Sequence, residues 1–144
     1  LGPDDIPRMR AMLSMLGRAF EELATFTENP PSDAYLARLL AGDAFIALAA
    51  MDGDAVVGGL TAYVLPTYEQ PRCELYIYDL AVAESHRRRG IATALIRHLQ
   101  GAGRDMGANV IFVQADYVDA PAIALYTRLG RREDVLHFDI AVED

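Results

Sequence analysis

An apolar strand, a basic loop and a helix entered through glycine follow one another between Glu74 and Ile96. The apolar, aromatic-rich run 75–82 predicts the strand, and apolar residues recur at helical spacing after Gly90. The first turn of a helix has unpaired backbone N–H groups and partial positive charge, and a glycine lets a ligand approach the backbone closely. This stretch therefore predicts a pyrophosphate site, and Asp79 beside it offers a carboxylate for chemistry.

The basic loop of this stretch differs from the common nucleotide-binding motifs. No Gly-Lys-Ser/Thr follows it, as a Walker loop requires, and the dinucleotide fingerprint needs three glycines. The alternative interpretation is a solvated basic turn that caps its helix badly. Three arginines at a helix N-terminus oppose the helix dipole and cost stability unless an anion is bound, so the pattern favours an anionic ligand.

Carboxylates form the second group of candidate residues. Asp79 is interpreted as a catalytic or substrate-binding acid, and the alternative is a strand-end aspartate bonded to backbone amides. For Asp116, Asp119 and Asp139, a solvated loop or strand-end acid is nearly as good an interpretation as substrate contact. Glu74 is a further candidate for substrate contact. The acids between positions 21 and 28 form either a lid over an acceptor or simply a solvated face.

The pattern of the whole chain predicts nine elements in the order α, α, β, β, β, α, β, α, β. The helices are predicted near Pro3–Phe20, Ser32–Gly42, Gly90–Gly103 and Asp119–Gly130, and the strands at Ala44–Met51, Ala55–Leu65, 75–82, Val110–Val113 and Val135–Val142. A polar loop is predicted at Glu21–Pro31, and Asp52-Gly53 predicts a hairpin. The order predicts one α/β domain over residues 1–144 with a mixed sheet, whose ligand edge receives two helix N-termini.

Composition narrows the classes of partner. The chain has 144 residues, 13 basic and 21 acidic, and a formal charge of −8, which argues against nucleic acid and favours a cationic partner. No apolar run reaches the roughly 20 residues of a membrane helix, so a soluble, cytoplasmic protein is expected. Cys73 is the only cysteine, which excludes an internal disulfide and a thiolate metal site. The three histidines lack metal-ligand spacing, so no metal is expected.

Two motifs carry a family resemblance. The first is Asp79-Leu80-Ala81-Val82 followed by Arg87-x-x-Gly90-x-Ala92, and the second is the A-x-x-L-Y-x-x-L-G helix from Ala122 to Gly130. Together they resemble the GCN5-related N-acetyltransferase (GNAT) superfamily. Longer stretches, FIALAA, AYVLP, EQPR, YIYDLAV, RRRGIATALI, VQADY, ALYTRLG and HFDI, resemble aminoglycoside 3-N-acetyltransferases of the gentamicin and fortimicin type.

The resemblance implies a GNAT fold, with a splayed central strand pair, and assigns roles to residues. Backbone groups at Leu80, Ala81 and Val82 would pair with the pantetheine of acetyl-coenzyme A. The pyrophosphate would lie on Arg87, Arg88, Arg89, Gly90, Ile91, Ala92 and Thr93. Asp119, where the superfamily often has Asn, and Ala122 would contact pantetheine, although Asp119 fits a helix cap as well. Tyr126 would protonate the departing thiolate, and its alternative is a core tyrosine.

The resemblance also implies the reaction. It predicts direct transfer of an acetyl group to the 3-amino group of an aminoglycoside such as gentamicin, sisomicin or fortimicin, which confers antibiotic resistance. Such amines are mostly protonated at neutral pH, so Asp79 would act as the base, directly or through water, or hold the ammonium. A polyamine or a protein or peptide amine is the alternative acceptor. From another class, the alternative is a non-catalytic acyl-coenzyme A-binding module.

Two structural expectations accompany the family. The superfamily tends to dimerise, so a homodimer is expected. It also has a strand before the first helix, and the sequence between Leu1 and the predicted first helix offers no candidate for that strand. Either the start is trimmed or the sheet has one strand fewer.

Overall fold

The computed structural model describes residues 1–143 and contains helices on a central sheet. The helices are α1 (Ile6–Ala19), α2 (Leu23–Thr27), α3 (Asp33–Ala41), α4 (Ile91–Asp105) and α5 (Ala120–Leu129). The strands are β1 (Phe45–Asp52), β2 (Ala55–Pro66), β3 (Cys73–Val82) and β4 (Ala108–Val113). A short 3-10 turn, Glu84–His86, precedes α4. The predicted α/β fold is confirmed.

Local sequence signals place several of these boundaries. The Ser32 hydroxyl accepts a hydrogen bond from the Tyr35 N–H at 3.1 Å and so caps α3. The Asp119 carboxylate accepts one from the Ala122 N–H at 3.2 Å and caps α5. Gly53 adopts a left-handed conformation with φ of 59°, which closes the β1–β2 hairpin. The predicted caps and hairpin are therefore confirmed.

The sheet is mixed and has the order β1-β2-β3-β4. Its first three strands are antiparallel neighbours, whereas β4 runs parallel to β3 because α4 crosses between them. The parallel pairing starts at Cys73 with Ala108 and ends at Ile77 with Val113. Beyond Ile77, β3 has a neighbour on one side only among the described residues.

Two consecutive glycines in β2 bring helices close to opposite faces of the sheet. A Cβ at Gly59 would lie 2.7 Å from the side chain of Met12 in α1, and one at Gly58 would lie 2.9 Å from Ile91 in α4. On the first face, α1 and α3 bury an apolar cluster that includes Met12 and Leu36. On the second, α4 covers a set of fully or nearly fully buried side chains that consists of Leu60, Leu75, Ile77, Leu95 and Leu99.

The structure corrects two expectations. The predicted strand Val135–Val142 is wrong, because residues 131–143 belong to no helix or strand. The apolar alternation is present, but a strand exists only where a neighbour supplies backbone hydrogen-bond partners, and the described chain provides none there. The predicted loop Glu21–Pro31 contains the one-turn-and-a-half helix α2, since Leu23 and Phe26 pack against Gly17 of α1.

The chain divides into two compact units, one from Leu1 to Gln114 and one from Ala115 onward. The first holds the sheet and α1–α4, and the second holds α5 and the extended segment after it. The single domain stays a prediction. No residue described before α1 is in a strand, and the amino group of Leu1 donates to the Ala47 carbonyl of β1 at 2.8 Å. Among the described helices, none combines the length and apolarity needed to cross a bilayer.

Candidate functional site

The unpaired edge of β3 begins where β4 ends. The N–H of Asp79 donates to Thr61 of β2 at 3.2 Å, and the N–H of Ala83 donates to Val57 of β2 at 2.8 Å. Since backbone groups of a strand alternate in direction, the N–H groups of Leu80 and Val82 point away from β2. An extended ligand could therefore add to β3 as a further strand, as predicted for pantetheine.

The loop after β3 provides anion-binding backbone. Arg88 has φ of 64° and Gly90 has φ of 77°, so two left-handed residues flank Arg89 at the start of α4. Such alternation turns successive N–H groups toward one point, where they bind anions. Gly90 stands at the N-cap of α4 and has no side chain to occupy the first N–H groups of the helix. All three arginines of this loop are exposed, and the guanidinium of Arg87 donates to the Val82 carbonyl at 3.2 Å.

A row of side-chain hydrogen bonds connects this loop to the β1–β2 hairpin. The sequence did not predict it. His86 lies 2.8 Å from the Asp52 carboxylate through Nε2 and 2.7 Å from the Ser85 hydroxyl through Nδ1. Asp52 belongs to the β1–β2 hairpin, 34 positions away. Ser85, His86 and Asp52 therefore tie the anion loop to a rigid turn, and only the fold brings them together.

A β-bulge sets the position of Asp79. Thr61 of β2 pairs with Asp79, but Ala62 pairs with Ile77, so Tyr78 is an extra residue in β3. Thr61 lies two positions from Gly59 and therefore shares the α1 face of the sheet. Asp79, opposite Thr61, lies on the same face. The buried Thr61 hydroxyl holds the Asp79 N–H and stabilises the bulge.

An aromatic row crosses this face from β1 to β4. Its members, in spatial order, are Phe45, Tyr63, Tyr78, Tyr76 and Phe112. Tyr63 meets Tyr78 edge-on at 5.4 Å, and Tyr76 stacks on Phe112 at 4.6 Å with the rings almost parallel. Tyr78 is 61% exposed although it touches two other rings. Tyr76 and Tyr78 thus pack against neighbouring rings, and the exposed ring of Tyr78 forms an open surface beside Asp79.

The electrostatic setting of Asp79 disfavours its charged form. Burial raises the pKa of Asp79 above its ordinary value of 3.8, and the negative charge of Glu22 raises it further. Glu22 stands at the N-cap of α2, so one acid of the predicted lid acts on the sheet face. Asp79 and Glu22 thus place two carboxylates near each other on this face of the sheet.

The other predicted acids differ in their settings. Glu74 is half-buried on the α1 face of β3, but it lies five positions before Asp79, roughly 16 Å along a strand. Asp116 is exposed, and its carbonyl accepts from the Asp119 N–H at 3.0 Å. Asp139 is exposed and bonded to His137 at 2.8 Å. Their roles stay predictions.

Tyr126 lies in the middle of α5, which Asp119 caps, with Ala122 one turn earlier. Burial raises the pKa of Tyr126 to about 12, and the nearby charge of Asp119 adds to the shift. Its hydroxyl therefore stays protonated at any ordinary pH, as a proton donor requires. In the described residues, no cluster of three or more His, Cys, Asp or Glu side chains could hold a metal ion.

The family model of the acetyltransferase (GNAT) family matches residues 9–130, most of the chain. The chain belongs to this GNAT family of acetyltransferases. The predicted superfamily is confirmed, and the free edge of β3 and the loop before α4 lie inside the matched range. Acetyltransferases of this family use acetyl-coenzyme A, which fits the backbone groups of both features.

Solved structures of aminoglycoside acetyltransferases resemble the chain over almost its full length. One, HMB0005 from an uncultured soil metagenomic sample, is 56% identical, has a TM-score of 0.97 and matches 99% of this chain and 95% of its own. Another, meta-AAC0020 from an uncultured soil metagenomic sample, was solved in complex with sisomicin. It is 32% identical with a TM-score of 0.89 and matches 99% of this chain and 93% of its own.

Among curated relatives, the streptothricin acetyltransferase of Streptomyces lavendulae is 36% identical over 86 residues, 60% of this chain. The match spans 42% of that protein, so the chain corresponds to about two-fifths of such relatives. N-acetyltransferase 8B of Rattus norvegicus gives the same picture, with 34% identity over 62% of this chain and 40% of its own length. The sequence that this chain shares with these two relatives therefore covers less than half of each of them.

We predict that Asp79→Asn stabilises the protein at neutral pH but not in acid. Because the folded-state pKa of Asp79 is raised, the wild-type protein loses stability as the pH rises through that pKa, whereas a neutral Asn does not ionise. The difference in melting temperature should be positive at pH 7 and shrink toward zero below pH about 4. Thermal unfolding from pH 3 to 8 measures it. Asp54→Asn in the exposed hairpin turn is the control, and a difference constant across pH would contradict the burial effect.

Proposed function

We propose that the chain transfers an acetyl group from acetyl-coenzyme A directly to an amino group of an aminoglycoside. The observation that carries the proposal is the position of Asp79. This half-buried carboxylate lies on an open tyrosine face of β3, next to the stretch of that strand that has a free edge for the coenzyme. The full-length likeness to two aminoglycoside acetyltransferases, one solved with sisomicin, supports the acceptor class.

The coenzyme supplies an acetyl group activated as a thioester. The N–H groups of Leu80 and Val82 hold its pantetheine, and the backbone around Gly90, with Arg88 and Arg89, holds its pyrophosphate. Neither task needs a specific side chain on β3, because backbone groups do the binding. The side chains of the same strand are therefore free to face the acceptor.

Asp79 attracts the acceptor ammonium and removes its proton. The pKa raised by burial and by Glu22 makes Asp79 a stronger base than an ordinary aspartate, while its charge still favours a cation. The hydroxyls of Tyr63 and Tyr78 lie on the same face and can bond the hydroxyl or amino groups of a sugar ring. The C–S bond of the thioester breaks as the C–N bond forms, and Tyr126 gives its proton to the departing sulfur. The nitrogen loses two protons on going from ammonium to amide: one passes from Asp79 to water, and the other, carried by water, restores the Tyr126 hydroxyl.

We propose the 3-amino group as the acetylated position. This follows from the stretches that resemble aminoglycoside 3-N-acetyltransferases, among them YIYDLAV in β3 and HFDI after α5. Acetylation there would remove one positive charge from a drug that binds RNA as a polycation, and so would confer resistance. The formal charge of −8 suits such an acceptor, as it suits a polyamine.

A panel of acceptors tests the proposed substrate class. With acetyl-coenzyme A, we expect kcat/KM for gentamicin, sisomicin or fortimicin to exceed that for spermidine or a lysine peptide by about 10²-fold or more, the scale of one well-placed polar contact set. NMR of the product should show the acetyl group on the 3-amino nitrogen. Preference for spermidine or the peptide would reject the aminoglycoside assignment, and acetylation at another nitrogen would reject the position.

Asp79→Asn should lower turnover of the preferred aminoglycoside by roughly 10²–10⁴-fold, because the variant cannot accept a proton. Coenzyme affinity, measured by calorimetry, should not change, since backbone groups near Leu80 carry it. Asp54→Asn again serves as the control and should keep wild-type turnover. Turnover of Asp79→Asn close to wild type would exclude Asp79 as the base.

Tyr126→Phe should lower kcat by about 10²-fold, the lower end of general-acid contributions, without weakening coenzyme binding. The acid limb of the pH profile should be preserved, because Tyr126 with a pKa of about 12 does not titrate there. Tyr68→Phe, a change at a fully exposed tyrosine, is the matched control. Equal kcat in both variants would show that Tyr126 only packs.

A further inference from the structure

The β1–β2 hairpin is bonded through its backbone to the loop that leads into α4. The register of the two strands shifts between Ala50 and Met51, and the pairing skips Val57 of β2. Val57 is therefore the extra residue of a β-bulge. Its carbonyl accepts from the N–H of Ala83, the first residue after β3, at 2.8 Å. The bulge thus attaches the hairpin to the start of the loop.

A side-chain connection accompanies this backbone bond. His86 follows Ala83 by one 3-10 turn, and its side chain is only 18% exposed. Its Nε2 lies 2.8 Å from the carboxylate of Asp52, which ends β1. Because a carboxylate accepts, Nε2 donates, and Nδ1 of the neutral ring accepts from the Ser85 hydroxyl at 2.7 Å. The bonds therefore run in one direction, from Ser85 through His86 to Asp52.

The residues held in this way come directly before the anion-binding backbone. Arg88, two positions after His86, has φ of 64°, a left-handed conformation that is unfavourable for a residue with a Cβ. Such a conformation persists only where the surrounding structure holds it. Arg87, between the two, donates from its guanidinium to the Val82 carbonyl at 3.2 Å. The bonds at Ala83, His86 and Arg87 thus hold the chain where it enters Arg88.

The charge of Asp52 separates a geometric effect from an electrostatic one. A carboxylate beside this loop repels an anionic ligand, so it cannot improve the binding of a pyrophosphate by its charge. It can improve binding only by holding the loop in the conformation that the ligand needs, because a loop that is already ordered loses less entropy when the ligand binds.

We infer that Asp52 and His86 are positioning residues for acetyl-coenzyme A. Through the backbone from Arg88 to Gly90, they set the affinity for the pyrophosphate without contacting the acceptor. Asp79 lies on the α1 face of β3 and is held by Thr61, so the loss of either positioning residue should change coenzyme binding and not the chemical step. The inference rests on the proposed use of acetyl-coenzyme A and is independent of the acceptor.

Substitution of His86 tests the connection. In His86→Ala, which removes both bonds of the ring, we expect the Kd of coenzyme A and the KM of acetyl-coenzyme A to rise about tenfold, the scale of one hydrogen bond to a charged group, with kcat unchanged. Calorimetry gives the Kd, and initial rates with the acceptor that the wild type prefers give KM and kcat. His86→Gln, whose amide N–H can still donate to Asp52, should restore most of the affinity. Wild-type affinity in His86→Ala, or a fall in kcat with no change in KM, would overturn the inference.

Substitution of Asp52 tests the sign of the effect. By charge alone, Asp52→Ala would tighten coenzyme binding, whereas the loss of positioning weakens it. Asp54→Ala, at an exposed acid of the same hairpin turn, removes the same charge and should not weaken binding. The double variant of Asp52 and His86 should bind no more weakly than His86→Ala, because both changes remove one shared bond.

The outcomes separate the inference from the proposed donor. Binding by Asp52→Ala as tight as that of Asp54→Ala, or additive losses in the double variant, would contradict the positioning role while coenzyme binding by the wild type stands. A wild-type protein that does not bind coenzyme A would reject the proposed donor, and the inference with it. Asp52 is exposed and Asp54→Ala is matched to it, so the comparison holds even where His86→Ala unfolds.

Discussion

The backbone groups of β3 need hydrogen-bond partners along its whole length, and the strand meets this need in two ways. Up to Ile77 it lies between β2 and β4, as an ordinary central strand. From Tyr78 onward, β2 is the only strand that pairs with it among residues 1–143, and within that range its other edge has no strand beside it. Water or a ligand must then satisfy these backbone groups, so the second half of β3 is available to an extended ligand.

The bulge at Tyr78 lets the same strand serve a second purpose. Without the extra residue, Asp79 would face the α4 side, where Leu75 and Ile77 are buried, because side chains alternate along a strand. The bulge moves Asp79 to the α1 side instead, with Tyr78. Thr61 fixes this geometry through the Asp79 N–H, and the raised pKa of Asp79 reflects the resulting burial. The burial that raises this pKa costs stability at neutral pH, the kind of cost that is common at active sites.

Opposite charges are kept apart around this strand. Arg88 and Arg89 follow its end, in a loop that His86 anchors to the β1–β2 hairpin, whereas Asp79 and Glu22 give the sheet face negative character. The anionic coenzyme and the cationic acceptor of the proposed reaction would therefore meet different parts of one framework. The close approach of α1 at Gly59 and of α4 at Gly58 holds these helices against the two faces of the sheet.

The sequence by itself determined the features that depend on short spacing. A Ser or Asp three positions before a free N–H predicts the caps at Ser32 and Asp119, Asp-Gly predicts the hairpin, and the glycine before α4 predicts the anion loop. The family could also be assigned from the sequence, because each of its motifs is a short, unbroken stretch of residues. Tertiary structure alone decided the bulge at Tyr78, the bond between His86 and Asp52, and the effect of Glu22 on Asp79, since each joins residues far apart in the chain. It also left residues 135–142 outside any strand, because a strand pattern fixes which side is apolar but not where a pairing partner lies.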